Sequence, residues 1–117
     1  MARVSSHVLN GMDGTHADGI AVTLSRIDTR ESTRIFAVDT DEGGRVSVEV
    51  DLTGIDADAI YEIVFTTGHY WDKRNLQFDA KGITREVVLR FRMPDRHKTY
   101  HMPVILSPNS YSTWFSG

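Results

Sequence analysis

The chain has 117 residues, no cysteine, 40% hydrophobic residues and a formal net charge of −3. This length predicts one compact domain over residues 1–117, and the lack of cysteine excludes disulfides, thiolate metal ligands and a cysteine nucleophile. Positive and negative residues are mixed along the chain, which argues against a nucleic-acid partner, because such a surface needs a clustered positive stripe.

Targeting and membrane segments are not evident in the sequence. The N-terminal residues contain no apolar stretch of the kind that a secretory signal requires, and no apolar run approaches the ~20 residues of a membrane span. The sequence also contains no internal repeat and no low-complexity tract. We therefore expect a cytoplasmic protein without a membrane partner.

Segments that alternate apolar and polar residues recur through most of the chain and are separated by Gly, Asp and Asn, a pattern typical of strands. In chain order, strands are predicted over residues 4–9, 20–27, 34–39, 45–50, 59–66, 85–93, 100–106 and 110–115. Residues 69–74 lack the two-residue period and are predicted to form one short helix. Seven to eight strands predict an all-β fold, an antiparallel sandwich with Val87, Leu89 and Phe91 on the inward face of one sheet.

Five histidines are candidates for chemistry, at positions 7, 16, 69, 97 and 101, and His7 and His101 lie in predicted strands. His97 and His101 are spaced like a metal-binding pair on a helix. However, prolines at 94 and 103 disfavour a helix, and an extended chain separates the two histidines by about 13 Å. The sequence contains no Gly-x-Ser-x-Gly elbow, phosphate loop or dinucleotide fingerprint. Residue patterns alone thus predict a β-sandwich without a metal site and leave its function open.

Several stretches of the sequence share the motifs of one known family. They are Ser-Ser-His-Val-Leu-Asn at 5–10, Gly-Ile-Ala-Val at 19–22, Gly-Gly-Arg at 43–45, Phe-Thr-Thr-Gly-His-Tyr at 65–70, and Tyr-His-Met-Pro-Val-Ile-Leu-Ser-Pro-Asn-Ser-Tyr-Ser-Thr at 100–113. In this order they resemble the transthyretin-like 5-hydroxyisourate hydrolases over essentially the whole chain. The resemblance implies the transthyretin-like β-sandwich of that family.

The resemblance also implies a hydrolase without a cofactor, which opens the six-membered ring of 5-hydroxyisourate, the unstable product of urate oxidation. The family's catalytic residues match His7, Arg45 and His101. An imidazole provides a base near neutral pH for the attacking water, and a guanidinium can offset the oxyanion that develops on the substrate. The second imidazole can protonate the leaving nitrogen or orient the water, and the sequence leaves open which histidine is the base.

The C-terminal residues depart from the family, which ends in Tyr-Arg-Gly-Ser where this chain has Trp-Phe-Ser-Gly at positions 114–117. The resemblance implies that the C-terminal stretch binds the substrate, and the predicted substrate-binding residues are Tyr111, Ser112, Trp114, Phe115 and Ser116. Phe115 stands in place of an arginine that lines the family's site, which removes a charge-assisted hydrogen-bond donor and adds apolar surface. We therefore expect weakened turnover of a polar urate derivative.

Three functions remain open for this chain, each with a small-molecule partner. The first is hydroxyisourate hydrolysis, and the second is hydrolysis of a more apolar heterocycle or lactam by the same residues, for instance in a biosynthetic pathway. The third is a non-catalytic small-molecule carrier, against which the presence of His7, Arg45 and His101 counts. The resemblance further implies a homotetramer, a dimer of dimers with the sites in a channel between facing sheets.

Overall fold

The computed structural model describes residues 1–74 and 83–117. In these ranges the elements are, in chain order, strands β1 (Ala2–Asn10), β2 (Ala21–Ile27), β3 (Ser32–Asp39), β4 (Arg45–Val50) and β5 (Ile60–Thr66), helix α1 (Gly68–Asp72), and strands β6 (Val87–Arg92), β7 (Thr99–His101), β8 (Val104–Ser107) and β9 (Ser110–Thr113). The helix predicted over residues 69–74 begins one residue earlier and ends at Asp72. No helix in the described ranges has the length and apolar character that a membrane crossing requires.

The strands form two sheets, which confirms the predicted all-β sandwich. Strands β4-β1-β8-β9 form the first sheet, in which β7 also pairs with β1. Strands β3-β2-β5-β6 form the second sheet, whose pairs are all antiparallel. Buried residues from both sheets, such as Val4, Val104, Val22 and Ile63, belong to one core cluster. As predicted, the strands that carry His7, Arg45, His101 and the C-terminal stretch are in the same sheet.

The centre of the first sheet differs from the predicted antiparallel arrangement, because β1 pairs in parallel with both β7 and β8. Parallel strands need a long connection, and here the whole second sheet lies between the two partners in the sequence. The strand predicted over residues 100–106 is divided in two, which gives nine strands in the described ranges instead of seven to eight. Pro103 explains the interruption, because its nitrogen has no N–H to donate to a neighbouring strand. At this interruption, a side chain of β1 replaces a backbone partner: Ser6 Oγ donates a hydrogen bond to the Met102 carbonyl (2.7 Å).

Alternation along each strand decides which side chains reach the core. In β6, Val87 is buried and Leu89 and Phe91 pack against the core, whereas Val88 is exposed, as predicted. In β1, the even-numbered residues are buried and the odd-numbered residues are half-buried. The outer face of the first sheet therefore carries His7, on the side away from the core.

Candidate active site

His7 and Arg45 lie next to each other on two neighbouring strands of the first sheet. His7 in β1 is directly opposite Arg45, which is the first residue of β4. Directly opposite residues carry their side chains on the same face of a sheet. The imidazole and the guanidinium therefore share the outer face, where Arg45 is exposed to solvent.

The turn before β4 fixes the position of Arg45. Asp41 Oδ1 accepts hydrogen bonds from the backbone N–H groups of Gly43 and Arg45, each 2.9 Å long. Gly44 has a φ of 72°, a left-handed conformation that other residues rarely adopt, and its carbonyl accepts a hydrogen bond from Val8 N (2.7 Å). A Cβ atom on Gly44 would collide with the Val8 carbonyl. The Gly-Gly-Arg turn is therefore required for close pairing of β4 with β1.

His7 also contacts a second imidazole, that of His16. The Nε2 atom of His7 and the Nδ1 atom of His16 are 2.9 Å apart, which is hydrogen-bond distance. The two rings lie edge to edge, with their centroids 5.0 Å apart and an angle of 26° between their planes. His16 therefore occupies the Nε2 side of the His7 imidazole, and Arg45 lies directly opposite His7 on β4.

His101 lies on the same outer face and is held there by Ser5. Ser5 is two residues before His7 in β1 and directly opposite His101 in β7. The Ser5 Oγ atom is 2.8 Å from His101 Nδ1. Because this contact engages Nδ1, the Nε2 atom of His101 is the ring nitrogen that remains for a ligand or a proton.

The surroundings of His7 lower the pKa of its imidazole below the ordinary value of 6.5. Burial is the largest cause, because desolvation disfavours the charged form, and the positive charges of Arg45, His16 and His101 act in the same direction. A hydrogen bond with the Gly43 backbone raises the pKa and offsets part of the effect. At neutral pH, His7 is therefore predominantly neutral and able to accept a proton.

The C-terminal stretch returns to the first sheet and reaches His101. β9 is antiparallel to β8, and an isolated bridge beyond it places Ser116 directly opposite His101. Two backbone hydrogen bonds form this bridge, from His101 N to the Ser116 carbonyl (3.1 Å) and from Ser116 N to the His101 carbonyl (2.8 Å). Ser112, Trp114 and Ser116 alternate along this stretch, so they share the outer face with the histidines.

Tyr111 and Phe115, the other two predicted substrate-binding residues, lie on the opposite face of the first sheet. Tyr111 is directly opposite the buried Leu106. The Phe115 ring packs against the buried Tyr100, with centroids 6.0 Å apart, and Lys98 Nζ lies 5.3 Å from its centroid. The structure does not bring these two aromatic residues together with His7, and their part in substrate binding stays a prediction.

Ser5 and His16 are site residues that the sequence analysis did not identify. A signal existed for Ser5, because it is two residues before His7 in a strand and thus on the same face. His16 gave no such signal, since its approach to His7 depends on how the loop between β1 and β2 folds back. Sequence spacing does not specify that path.

The site combines the neutral imidazole of His7, the imidazoles of His16 and His101, and the Arg45 guanidinium on one face of one sheet. An imidazole can take a proton from water, and a guanidinium can stabilise a developing negative charge on oxygen. Within residues 1–74 and 83–117, no three His, Asp or Glu side chains lie close enough together to hold a metal ion. The arrangement fits attack of water on a carbonyl carbon.

Comparisons with known proteins agree with this chemistry. The HIUase/Transthyretin family model matches residues 4–116. A Pseudomonas aeruginosa protein named 5-hydroxyisourate hydrolase is 34% identical over 115 residues, which cover 97% of this chain and 90% of the relative. A Ralstonia nicotianae protein of the same name is 34% identical, and the match covers 97% of each chain.

Solved structures share the fold. Klebsiella pneumoniae 5-hydroxyisourate hydrolase matches with a TM-score of 0.78 at 21% identity and covers 100% of both chains. Sea bream transthyretin in complex with thyroxine matches with a TM-score of 0.79 at 23% identity, over 97% of this chain and 93% of that chain. An enzyme and a protein that binds thyroxine thus have the same architecture.

Proposed function

Because this chain belongs to the HIUase/Transthyretin family, we propose that it is a cofactor-independent hydrolase that opens the six-membered ring of 5-hydroxyisourate, as a step of cytoplasmic urate degradation. Relatives named 5-hydroxyisourate hydrolase match nearly the whole chain. The fold itself does not distinguish an enzyme from a carrier. The observation that carries the proposal is the placement of His7, Arg45 and His101 together on the outer face of the first sheet.

In this proposal His7 is the general base. Its lowered pKa keeps the imidazole neutral near pH 7, so it can take a proton from the water that attacks a ring carbonyl carbon. The carbon–nitrogen bond of the ring then breaks, and the leaving nitrogen requires a proton. His101 is the proposed donor of this proton, because Ser5 engages its Nδ1 atom and leaves Nε2 toward the substrate.

Arg45 is proposed to bind the substrate and to stabilise the oxyanion. Among residues 1–74 and 83–117, no carboxylate forms an ion pair with the Arg45 guanidinium. A guanidinium that is fixed beside the reacting carbonyl stabilises the negative charge as it develops. The His7–Arg45 pairing across β1 and β4 supplies that fixed position.

The test of this function is a direct assay of ring opening. 5-Hydroxyisourate is generated by oxidation of urate in the cuvette, and its absorbance decay with the protein is compared with the spontaneous decay. We expect a decay that is faster in proportion to the protein concentration. A decay indistinguishable from the spontaneous one at micromolar protein would disprove the proposed substrate.

We also propose that the chain forms a homotetramer, a dimer of dimers in which outer faces of the first sheet meet. Leu9 and Ile105 pair on this face as half-buried apolar residues, and Trp114 is 47% exposed. In one isolated chain, the predicted catalytic side chains stand on an open sheet. Association would enclose them in a pocket with restricted access for water, as binding of a small molecule requires.

Light scattering at micromolar concentration tests the assembly. We expect the mass of four chains in the parent protein. Substitution Ile105→Glu places a charge on the proposed contact face and should reduce the mass and the hydrolytic activity together. A parent protein that is monomeric and fully active would contradict the tetramer and leave the catalytic proposal intact.

A further inference from the structure

We infer that His16 is a positioning residue of the proposed active site, which orients the imidazole of His7 and holds His7 Nε2 as a hydrogen-bond acceptor. The inference rests on the proposed function and extends it by a residue outside the motifs from which that function was predicted. Three observations support it: the backbone around His16, the contact between the two rings, and the second hydrogen bond of His7.

The backbone holds His16 in a defined position beside β1. His16 forms an antiparallel bridge with Leu9, framed by hydrogen bonds from Asn10 N to the Thr15 carbonyl (2.8 Å) and from Ala17 N to the Val8 carbonyl (2.9 Å). The neighbouring Ala17 is fully buried. The short stretch around His16 therefore extends the first sheet at the point where β4 has ended, and its register directs His16 to the outer face.

The side chains of His7 and His16 interact edge to edge. The hydrogen-bond distance of 2.9 Å fixes the edge of the His7 ring at Nε2. The small angle of 26° between the ring planes, with 5.0 Å between centroids, aligns the hydrogen bond with both rings. His16 itself is exposed, so its imidazole is in contact with solvent on the side away from His7.

The direction of the hydrogen bond follows from the other partner of His7. A backbone hydrogen bond with Gly43 raises the pKa of His7, as expected when an imidazole N–H donates to a carbonyl. Since Nε2 faces His16, we assign this donor to Nδ1. A neutral imidazole has one N–H, so Nε2 then has the lone pair and accepts from the Nδ1–H of His16.

This arrangement has a consequence for catalysis, because the Nε2 lone pair of His7 is its basic site and the attacking water must replace the His16 N–H there when His7 takes its proton. The charged groups that face His7 are Arg45 on β4, His101 on β7 and His16 on the returning loop, and all three disfavour a proton on His7. Of these, His16 alone has a hydrogen bond to His7. Loss of that bond should loosen the orientation of the imidazole and make it easier to protonate, which reduces the fraction of His7 that is available as a base near neutral pH.

Two substitutions separate the hydrogen bond from the shape of the side chain. His16→Phe keeps an aromatic ring without a hydrogen-bonding group, and His16→Asn keeps an N–H donor near the position of Nδ1. The pKa of His7 is measured by NMR titration of the full chain without substrate, and kcat and KM are measured with 5-hydroxyisourate. The same spectra show whether each variant is folded.

We expect His16→Phe to raise the pKa of His7, to move the acidic limb of the kcat profile to higher pH, and to lower kcat about two- to tenfold at pH 7. KM should stay within about twofold, because His16 does not contact the substrate in this proposal. In His16→Asn, kcat should return to within about twofold of the parent value. His97→Phe, at an exposed histidine in the turn before β7, is the control and should change neither quantity.

An unchanged pKa of His7 in His16→Phe would overturn the inference. The inference would also be overturned if kcat were as low in His16→Asn as in His16→Phe, because the hydrogen bond would then not affect catalysis. The pKa of His7 could rise in His16→Phe as expected while the parent protein does not accelerate the decay of 5-hydroxyisourate. That outcome would disprove the proposed function alone. The titration requires no substrate, so the two failures are distinguishable.

Discussion

Two cross-strand pairs, one on the outer face of each sheet, differ in how their charges are arranged, although the first sheet also has an ion pair between Arg3 Nη2 and Glu49 Oε1 (2.9 Å). On the second sheet, Arg90 Nε lies 2.8 Å from Glu62 Oε2, and the two residues are directly opposite on neighbouring strands. On the first sheet, Arg45 is directly opposite His7, and His7 in turn contacts the imidazole of His16. One cation is neutralised by a carboxylate, and the other is next to groups that can themselves become positive.

This difference indicates where the chemistry lies. An exposed ion pair contributes little to stability and leaves neither partner available for a ligand. The Arg45 guanidinium lowers the proton affinity of His7 and remains available for an anion. For stability, the Arg45–His7 pair has no advantage over an ion pair such as Arg90–Glu62. A catalytic role is therefore the better explanation of the Arg45–His7 pair.

The largest expected effect comes from removal of the three predicted catalytic groups. We expect His7→Ala, Arg45→Ala and His101→Ala each to lower turnover of 5-hydroxyisourate by about 10²–10⁴ without unfolding the protein. The double variants should lose less than the product of the single losses, because the groups act in one transition state. Arg90→Ala on the second sheet is the control, with turnover within about twofold of the parent. If turnover in all three variants stayed within about tenfold of the parent value, the catalytic role of these residues would be disproved.

The turn before β4 is expected to show the next largest effect. Gly44→Ala introduces strain at positive φ and a collision with the Val8 carbonyl, which together should cost about 2–5 kcal/mol in the free energy of unfolding. Gly54 has a similar φ of 75° with nothing within 4 Å of a Cβ atom, so Gly54→Ala should cost only about 1–2 kcal/mol. Chemical denaturation measures both values. Equal losses would mean that the turn does not constrain the position of Arg45.

Ser5 and Ser47 offer a matched pair, because they are directly opposite on β1 and β4. Ser5→Ala removes the hydrogen bond to His101 and should lower kcat about two- to tenfold. Ser47 Oγ accepts a hydrogen bond from Arg3 Nη1 instead (2.9 Å), so Ser47→Ala should leave kcat unchanged. A Ser5→Ala variant with parental kcat would show that the orientation of His101 does not limit the reaction.

The C-terminal stretch allows a smaller test of which face binds the substrate. Trp114 alternates onto the histidine face, and its removal in Trp114→Ala should raise KM about two- to tenfold. Phe115 packs on Tyr100, so Phe115→Ala should lower Tm and leave KM unchanged. If Phe115→Ala raised KM instead, the substrate-binding role predicted for Phe115 from the sequence would hold and the face assignment would be wrong.

The pH dependence of stability is the smallest expected effect. The pKa of His7 is lowered on folding, so the unfolded chain binds more protons, and stability is present above pH 6.5 and is lost as pH falls through the folded pKa. Asp13, Asp51 and Asp72 also have lowered pKa values, but from 3.8, so they act only in more acidic solution. Between pH 7.5 and 5, the decrease in Tm should be smaller in His7→Gln than in the parent, by about 1–3 °C. Parallel Tm curves would contradict the lowered pKa.

The sequence specified the strands more reliably than their partners. β4 has the predicted bounds because its alternation and its Gly-Gly turn are local features. The parallel pairing of β1 with β7 and β8 was not predicted, because a two-residue period defines faces and says nothing of neighbours. The separation of β7 from β8 at Pro103 follows from a missing N–H, which the sequence does contain, although the predicted strand ran through it.

The candidate site was predictable to the extent that its residues lie in strands. His7, Arg45 and His101 were identified through family motifs, and the structure brings them to one face of one sheet. His16 was missed because it lies in an irregular loop, where the path of the backbone depends on tertiary hydrogen bonds such as Ala17 N to the Val8 carbonyl. Phe115 was assigned to the site through the family resemblance, and its part in substrate binding stays a prediction, since the structure packs its ring against Tyr100.

The contact between Ser5 and His101 has a consequence for how activity is acquired during folding. These residues are 96 positions apart in the sequence, and the second sheet is built from the residues between them. Loop closure over such a distance is entropically costly, and chains dominated by long-range pairing fold slowly. On dilution from denaturant, hydrolysis should therefore appear after the circular dichroism signal of the strands. A nascent chain should be inactive until β7 has left the ribosome, which makes the reaction a reporter of completed folding.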